Sequence, residues 1–209
     1  MSKNNIKLGL KTLNVKYGGK LVGILALTNH GKVAFSYDKE WLENGFSISP
    51  FSLPLEPKVF IPNNYIFDGL FGIFADSLPD AWGRLLLERM LKEYSIQKDI
   101  TVLDRLALVG KNGMGALEYE PDYELGEEIT LKNFDYLSEQ CQKILHTEYS
   151  EELDLLYKMG GSSGGARPKI LTNIDSKDWI IKFPAHVDSK DIGFQEYIYS
   201  KCAKECNIC

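Results

Sequence analysis

The stretch Met159–Lys169, MGGSSGGARPK, decides how this chain is read. Every residue from 160 to 166 is glycine, serine or alanine. Glycine costs backbone entropy, so a run of it belongs where something approaches the main chain closely or bends it sharply. Bare backbone N–H groups are also a natural cradle for phosphate. Three phosphate-binding loops can be tested by spacing. A Walker A loop needs Gly, four residues, then Gly-Lys-Ser/Thr. Gly160 and Gly165 have that separation, but Ala166 stands where the lysine belongs. A dinucleotide fingerprint needs G-x-G-x-x-G between a strand and a helix; residues 160–165 contain no G-x-G, and a strand is expected next. The third machine is the kinase type. Its loop lies between two antiparallel strands and covers the nucleotide, with a lysine on a later strand and a glutamate on the next helix.

That ordered set is present. Gly160, Gly161, Ser162, Ser163, Gly164 and Gly165 form the loop, and a strand is expected from Lys169 to about Thr172. The next strand, WIIKF, carries Lys182 between apolar residues, and Glu196 follows on a helix. Triphosphate oxygens want close N–H donors, which glycine allows, and one lysine point charge. A buried lysine needs a carboxylate partner, here Glu196. Lys169 is a second phosphate candidate. Taken singly, each feature has a blander reading: a flexible connector, an edge lysine, a solvated helix face. Only the order of loop, strand, Lys and Glu favours the nucleotide reading. With few side chains to pack, the loop is expected to be mobile, with Ser162 and Ser163 exposed.

Upstream, residues 13–37 read as a β-meander with turns at Gly18-Gly19 and Asn29-His30-Gly31. EWLENG is one helical turn closed by Gly45. Residues 46–65 hold prolines 50, 54, 57 and 62 and favour edge strands or a wrapping loop. A helix is expected with Ser77 as N-cap and Asp80 three residues on, placing Leu78, Trp82, Leu85 and Leu86 on one buried face. Thr101-x-x-Asp104 opens a second. YEPDYELGEEI is an acidic connection. Thr130 opens a longer helix with Leu131, Phe134, Leu137, Cys141, Ile144 and Leu145 on one stripe. A shorter helix at 150–158 leads into the glycine run. PKILTN and DWIIKFP are strands, and a helix spans about Ser189–Cys206. The fold class is therefore α+β: a β-rich N-terminal subdomain with a helical segment over 1–125, then the start of a kinase-like core over 126–209.

Bulk properties narrow the function classes. The 209 residues are 44% hydrophobic and 25% charged, as in ordinary soluble chains. Net charge is −5, which argues against a sequence-independent nucleic-acid binder. No apolar run reaches the roughly 18 residues of a membrane span, and MSKNNIKLGLK lacks an apolar signal core, so a cytoplasmic protein is expected. CAKECNIC has the C-x3-C-x2-C spacing of an iron–sulfur site. Nothing follows it that would hold the partner cofactor, so Cys202 and Cys206 are read as small apolar residues facing a core. His30, His146 and His186 have no ligand spacing, and no metal site is assigned.

MGGSSGGARPKIL, DWIIKFPA and DIGFQEY resemble the start of the kinase core of HipA-type toxins, bacterial serine/threonine protein kinases. GKVAFSYDKEWLENG, SLPLEP, DSLPDAWGRLLLERM and ALVGKNGMGALEYEP resemble that family's N-terminal subdomain. The resemblance runs from about residue 13 to the end. It implies an ATP- and Mg-dependent kinase of a type II toxin–antitoxin system. It also implies a helix-turn-helix antitoxin, operator DNA reached only through it, and an aminoacyl-tRNA synthetase as substrate. Family members autophosphorylate in the glycine loop, which silences the kinase; Ser162 and Ser163 occupy that loop here.

A kinase also needs a base Asp, an Asn and a metal-binding Asp in a second lobe. None is found after the loop, and Asp104-Arg105 precedes it within an apolar helix, so no catalytic residue is assigned. The chain reads as the front of a kinase whose catalytic lobe is missing or separate, inactive alone. A truncated gene, a split system or an expressed fragment would read alike. The rival is a non-catalytic interaction module that uses residues 13–125 to bind an antitoxin or a separate catalytic subunit.

Overall fold

The computed structural model describes residues 8–94, 100–123, 133–162 and 164–208. Thr130, Leu131, Ser163, Cys209 and most of the acidic connection lie outside them. The fold is α+β.

The meander forms as its turns require. Strands β1 (Thr12–Tyr17), β2 (Lys20–Leu27) and β3 (Val33–Tyr37) pair antiparallel in sequence order. Helix α1 (Lys39–Asn44) starts where the Asp38 carboxylate accepts the Glu40 N–H and stops at Gly45. The proline-rich stretch contributes the short edge strand β4 (Val59–Phe60), paired to β3. The other edge is β5 (Leu117–Glu120), paired to β1, which gives the order β4-β3-β2-β1-β5. One sheet face packs on α2 (Gly72–Ala75) and α4 (Val102–Val109) around Val15, Leu25, Phe35, Phe74, Leu103 and Leu106.

A second core gathers helices from both halves of the chain. It joins α3 (Ala81–Glu93), α5 (Phe134–Leu145), α6 (Leu153–Gly160) and strand β6 (Lys169–Ile174). Trp82, Leu86, Met90, Leu137, Cys141, Leu156 and Ile170 fill it. Burial pushes the Cys141 thiol up to about 12, so it stays a neutral apolar filler. Helix α4 serves both cores: Leu103 and Leu106 belong to the first, and Leu108 to the second. Strand β7 (Lys177–Lys182) closes a hairpin on β6 through Asp175 and Ser176, both at positive φ. Helix α7 (Ile192–Glu205) follows and buries none of its residues.

Three expectations fail here. Helix α3 starts at Asp80, not Ser77, because residues 75–79 turn after α2 and set Leu78 against the first core. Leu85 is only half-buried, and Leu86 and Leu87 take the core face. Leu85→Ala should therefore cost about 1 kcal/mol or less, against the 2–5 kcal/mol of a fully buried leucine. Urea midpoints of Leu85→Ala and Leu86→Ala measured side by side check this. Lastly, Cys202 and Cys206 are exposed on α7 and face no core.

Candidate functional site

The glycine run divides into two parts with different work. Gly160 is the last residue of α6, so the segment runs from a helix into β6 and not between two antiparallel strands. A Cβ on Gly160 would stand 2.0 Å from the Lys169 carbonyl oxygen. The Gly161 carbonyl oxygen would lie 1.7 Å from a Cβ on Gly83 of α3. These glycines let α3, α6 and β6 approach closely. The irregular part is Gly161 to Pro168, and among its described residues only Gly165 has a positive φ, +97°.

The described residues of this part make several hydrogen bonds to their surroundings. The Gly165 N–H donates to Asp80 Oδ2 at 2.8 Å, and the Trp82 N–H donates to the Gly165 carbonyl at 3.3 Å. The Ser162 hydroxyl donates to the Asn112 carbonyl at 3.2 Å and is half-buried. Lys169 Nζ donates to the Gly164 carbonyl. Lys169 is buried, and desolvation with the nearby Lys182 charge lowers its pKa, partly offset by Asp80.

The two lysines lie directly opposite each other on β6 and β7. Lys182 Nζ stands 2.9 Å from Glu196 Oε2 on α7. Glu196 has a second cation, Arg167 Nη1, at 3.5 Å. Arg167 also grips Asp188 through two nitrogens, at 2.8 and 3.0 Å. That guanidinium and the Ala185 N–H hold the Asp188 carboxyl below its ordinary pKa. Arg167, at the loop's end, thus connects the hairpin to the approach to α7. Sequence reasoning left it out, although it directly precedes Pro168 in the quoted stretch. The side chains of Lys182 and Glu196 are 52% and 41% exposed, so this is not the buried pair expected. An exposed pair adds little stability.

Beside the loop, a solvent-open groove of about 590 Å³ is lined by Asp80, Arg84, Leu85, Glu88, Gly165 and Ala166. Gly160 to Gly165, Lys169, Lys182 and Glu196 thus lie along one hairpin and its two flanking helices, with Ser163 undescribed. Among the described residues, no group of three or more His, Cys, Asp or Glu could hold a metal ion. Among them, too, no helix is long and apolar enough to cross a membrane.

No curated protein matches the chain. A family model described as the HipA N-terminal domain matches residues 13–120. Its limits nearly coincide with the start of β1 and the end of β5, so it covers the whole five-stranded sheet with its helices. Because this match spans more than half of the 209 residues, the chain belongs to the HipA N-terminal domain family.

Proposed function

We propose that the chain is the N-terminal portion of a HipA-type toxin, a serine/threonine protein kinase of a type II toxin–antitoxin system. The observation that carries this reading is the Lys182–Glu196 pair at 2.9 Å beside the glycine segment. In this reading Lys182 and Lys169 receive ATP phosphates, the 160–165 segment covers them, and Glu196 aims Lys182. Mg would arrive with the nucleotide. Ser162 and Ser163 are the regulatory phosphosites. A phosphate there would add about −1.5 to −2 charges where ATP phosphates belong.

The partners are a helix-turn-helix antitoxin, with operator DNA reached through it, and an aminoacyl-tRNA synthetase-type substrate. A catalytic lobe supplies the base and metal ligands. Support for a covering lobe comes from Trp179, Ile180, Phe194, Tyr197 and Tyr199, large apolar or aromatic residues left exposed on β7 and α7. The chain alone is expected to bind ATP-Mg and to transfer no phosphoryl group. A thermal-shift assay with ATP-Mg and a labelled-ATP assay test the two halves. No melting shift sinks the nucleotide reading, and turnover abolished by Lys182→Ala sinks the claim of inactivity.

A second reading rests on Phe51, Val59, Ile61, Ile66 and Phe67, exposed at and around edge strand β4. Here the five-stranded unit is a non-catalytic module that binds an antitoxin or a separate catalytic subunit. Tight protein binding with no response to ATP-Mg would favour it.

A further inference from the structure

We propose that Asp80 is an internal anion that clasps the glycine loop and competes with a phosphate ligand for it. The competition rests on the reading of residues 160–169 as a phosphate-binding segment. Asp80 is the N-cap residue of α3, a position where an aspartate ordinarily accepts an N–H of its own helix. It makes no such bond. Its Oδ2 reaches 85 residues along the chain to the Gly165 N–H, at 2.8 Å. The Trp82 N–H meets the Gly165 carbonyl at 3.3 Å, so α3 holds both sides of one residue. Gly165 presents both groups because its φ of +97° suits glycine.

The charges at this point are those a phosphate would meet. The carboxylate supplies a negative oxygen on a loop N–H. The Lys169 ammonium lies close to the same residue, bonded to the Gly164 carbonyl and 3.0 Å from where a Gly165 Cβ would stand. A hydrogen bond to an ionised acceptor is stronger than a neutral one, so the clasp is a real competitor. An incoming phosphate oxygen that needs the Gly165 N–H must displace Asp80. Until it does, two anions share the groove and repel. Asp80 is exposed on that groove, so its side chain has room to swing away.

The test uses the whole chain with Asp80→Asn and Asp80→Ala, and tripolyphosphate as the probe. In Asp80→Ala the Gly165 amide should exchange with solvent about tenfold faster, the loss of one hydrogen bond. Amides within α6 should not change. Asp80→Asn keeps an acceptor but loses the charge, and should bind tripolyphosphate at least about fivefold tighter than wild type, on the order of 1 kcal/mol. Unchanged Gly165 exchange in Asp80→Ala overturns the clasp. Equal or weaker tripolyphosphate binding by both variants overturns the competition. If Gly165 exchange accelerates but no form binds the probe, the phosphate reading fails, and the competition fails with it. The clasp then stands as a structural tie alone.

Discussion

Asp104→Ala is expected to destabilise the chain by about 3–5 kcal/mol, although Asp104 touches no candidate ligand residue. The carboxylate is fully buried. Oδ1 accepts the N–H groups of Gly9 and Leu10, at 3.0 and 3.1 Å. Oδ2 accepts the Thr101 N–H and hydroxyl, both at 2.8 Å. In return the Thr101 hydroxyl accepts the Asp104 N–H, which completes a reciprocal cap on α4. Removing the carboxylate strands three backbone donors with little water to replace it. Each such group costs roughly 1–3 kcal/mol. Asp104→Asn should fall between wild type and alanine, since its one acceptor oxygen serves part of the set and its NH2 opposes the remaining donors. Urea unfolding of the three proteins checks the order. A loss under about 1 kcal/mol for Asp104→Ala would mean that water or local rearrangement satisfies these donors. The carboxylate of LDRLA thus holds the segment before β1 against α4.

How far the sequence foretold this arrangement depends on the range of the interaction involved. The meander, the Thr101–Asp104 box and the Leu137–Cys141–Ile144 stripe are local patterns, and each appears where its spacing puts it. Lys182 and Glu196 are non-local, yet the pair forms, because a short hairpin and one helix leave few ways to place them. What was missed depends on partners far along the chain. Strand β5 is only LEYE, with two glutamates, and exists because β1 offers an edge. Its alternation of apolar and acidic residues was the available signal. Asp80 reads as the last residue of a capping box, and its bond to Gly165 is invisible without the tertiary contact. Leu85 and Leu86 are neighbours expected on one buried face; Leu86 takes it, and Leu87 rather than Leu85 joins it there. The glycine run read as one loop because composition does not separate a glycine needed for close packing from one needed for a turn.

That division of labour predicts that Gly83→Ala is among the most damaging single substitutions in the chain, though Gly83 lies outside the glycine run. Alanine is ordinarily the better helix former by about 1 kcal/mol, so propensity alone predicts a gain. The packing reverses the sign. The new Cβ would stand 1.7 Å from the Gly161 carbonyl oxygen, 2.6 Å from its carbon and 2.9 Å from Pro79 Cβ. Two of those three atoms are backbone, so no side-chain rotation relieves the clash. Helices α3 and α6 must separate, which opens the core around Trp82, Leu86 and Leu156. Overpacking commonly costs 1–3 kcal/mol, and a backbone clash this short should reach at least about 3 kcal/mol. Gly193 in α7 is the control, because nothing lies within 4 Å of its added Cβ. Gly193→Ala should be neutral or stabilise by up to about 1 kcal/mol. Chemical denaturation of both variants decides the matter. The displacement would also act at a distance, since Gly161 begins the segment that Asp80 and Trp82 hold at Gly165. Faster amide exchange at Gly165 in a still-folded Gly83→Ala protein would therefore accompany the loss of stability. Equal midpoints for Gly83→Ala and wild type would mean that α3 and α6 do not cross as closely as described.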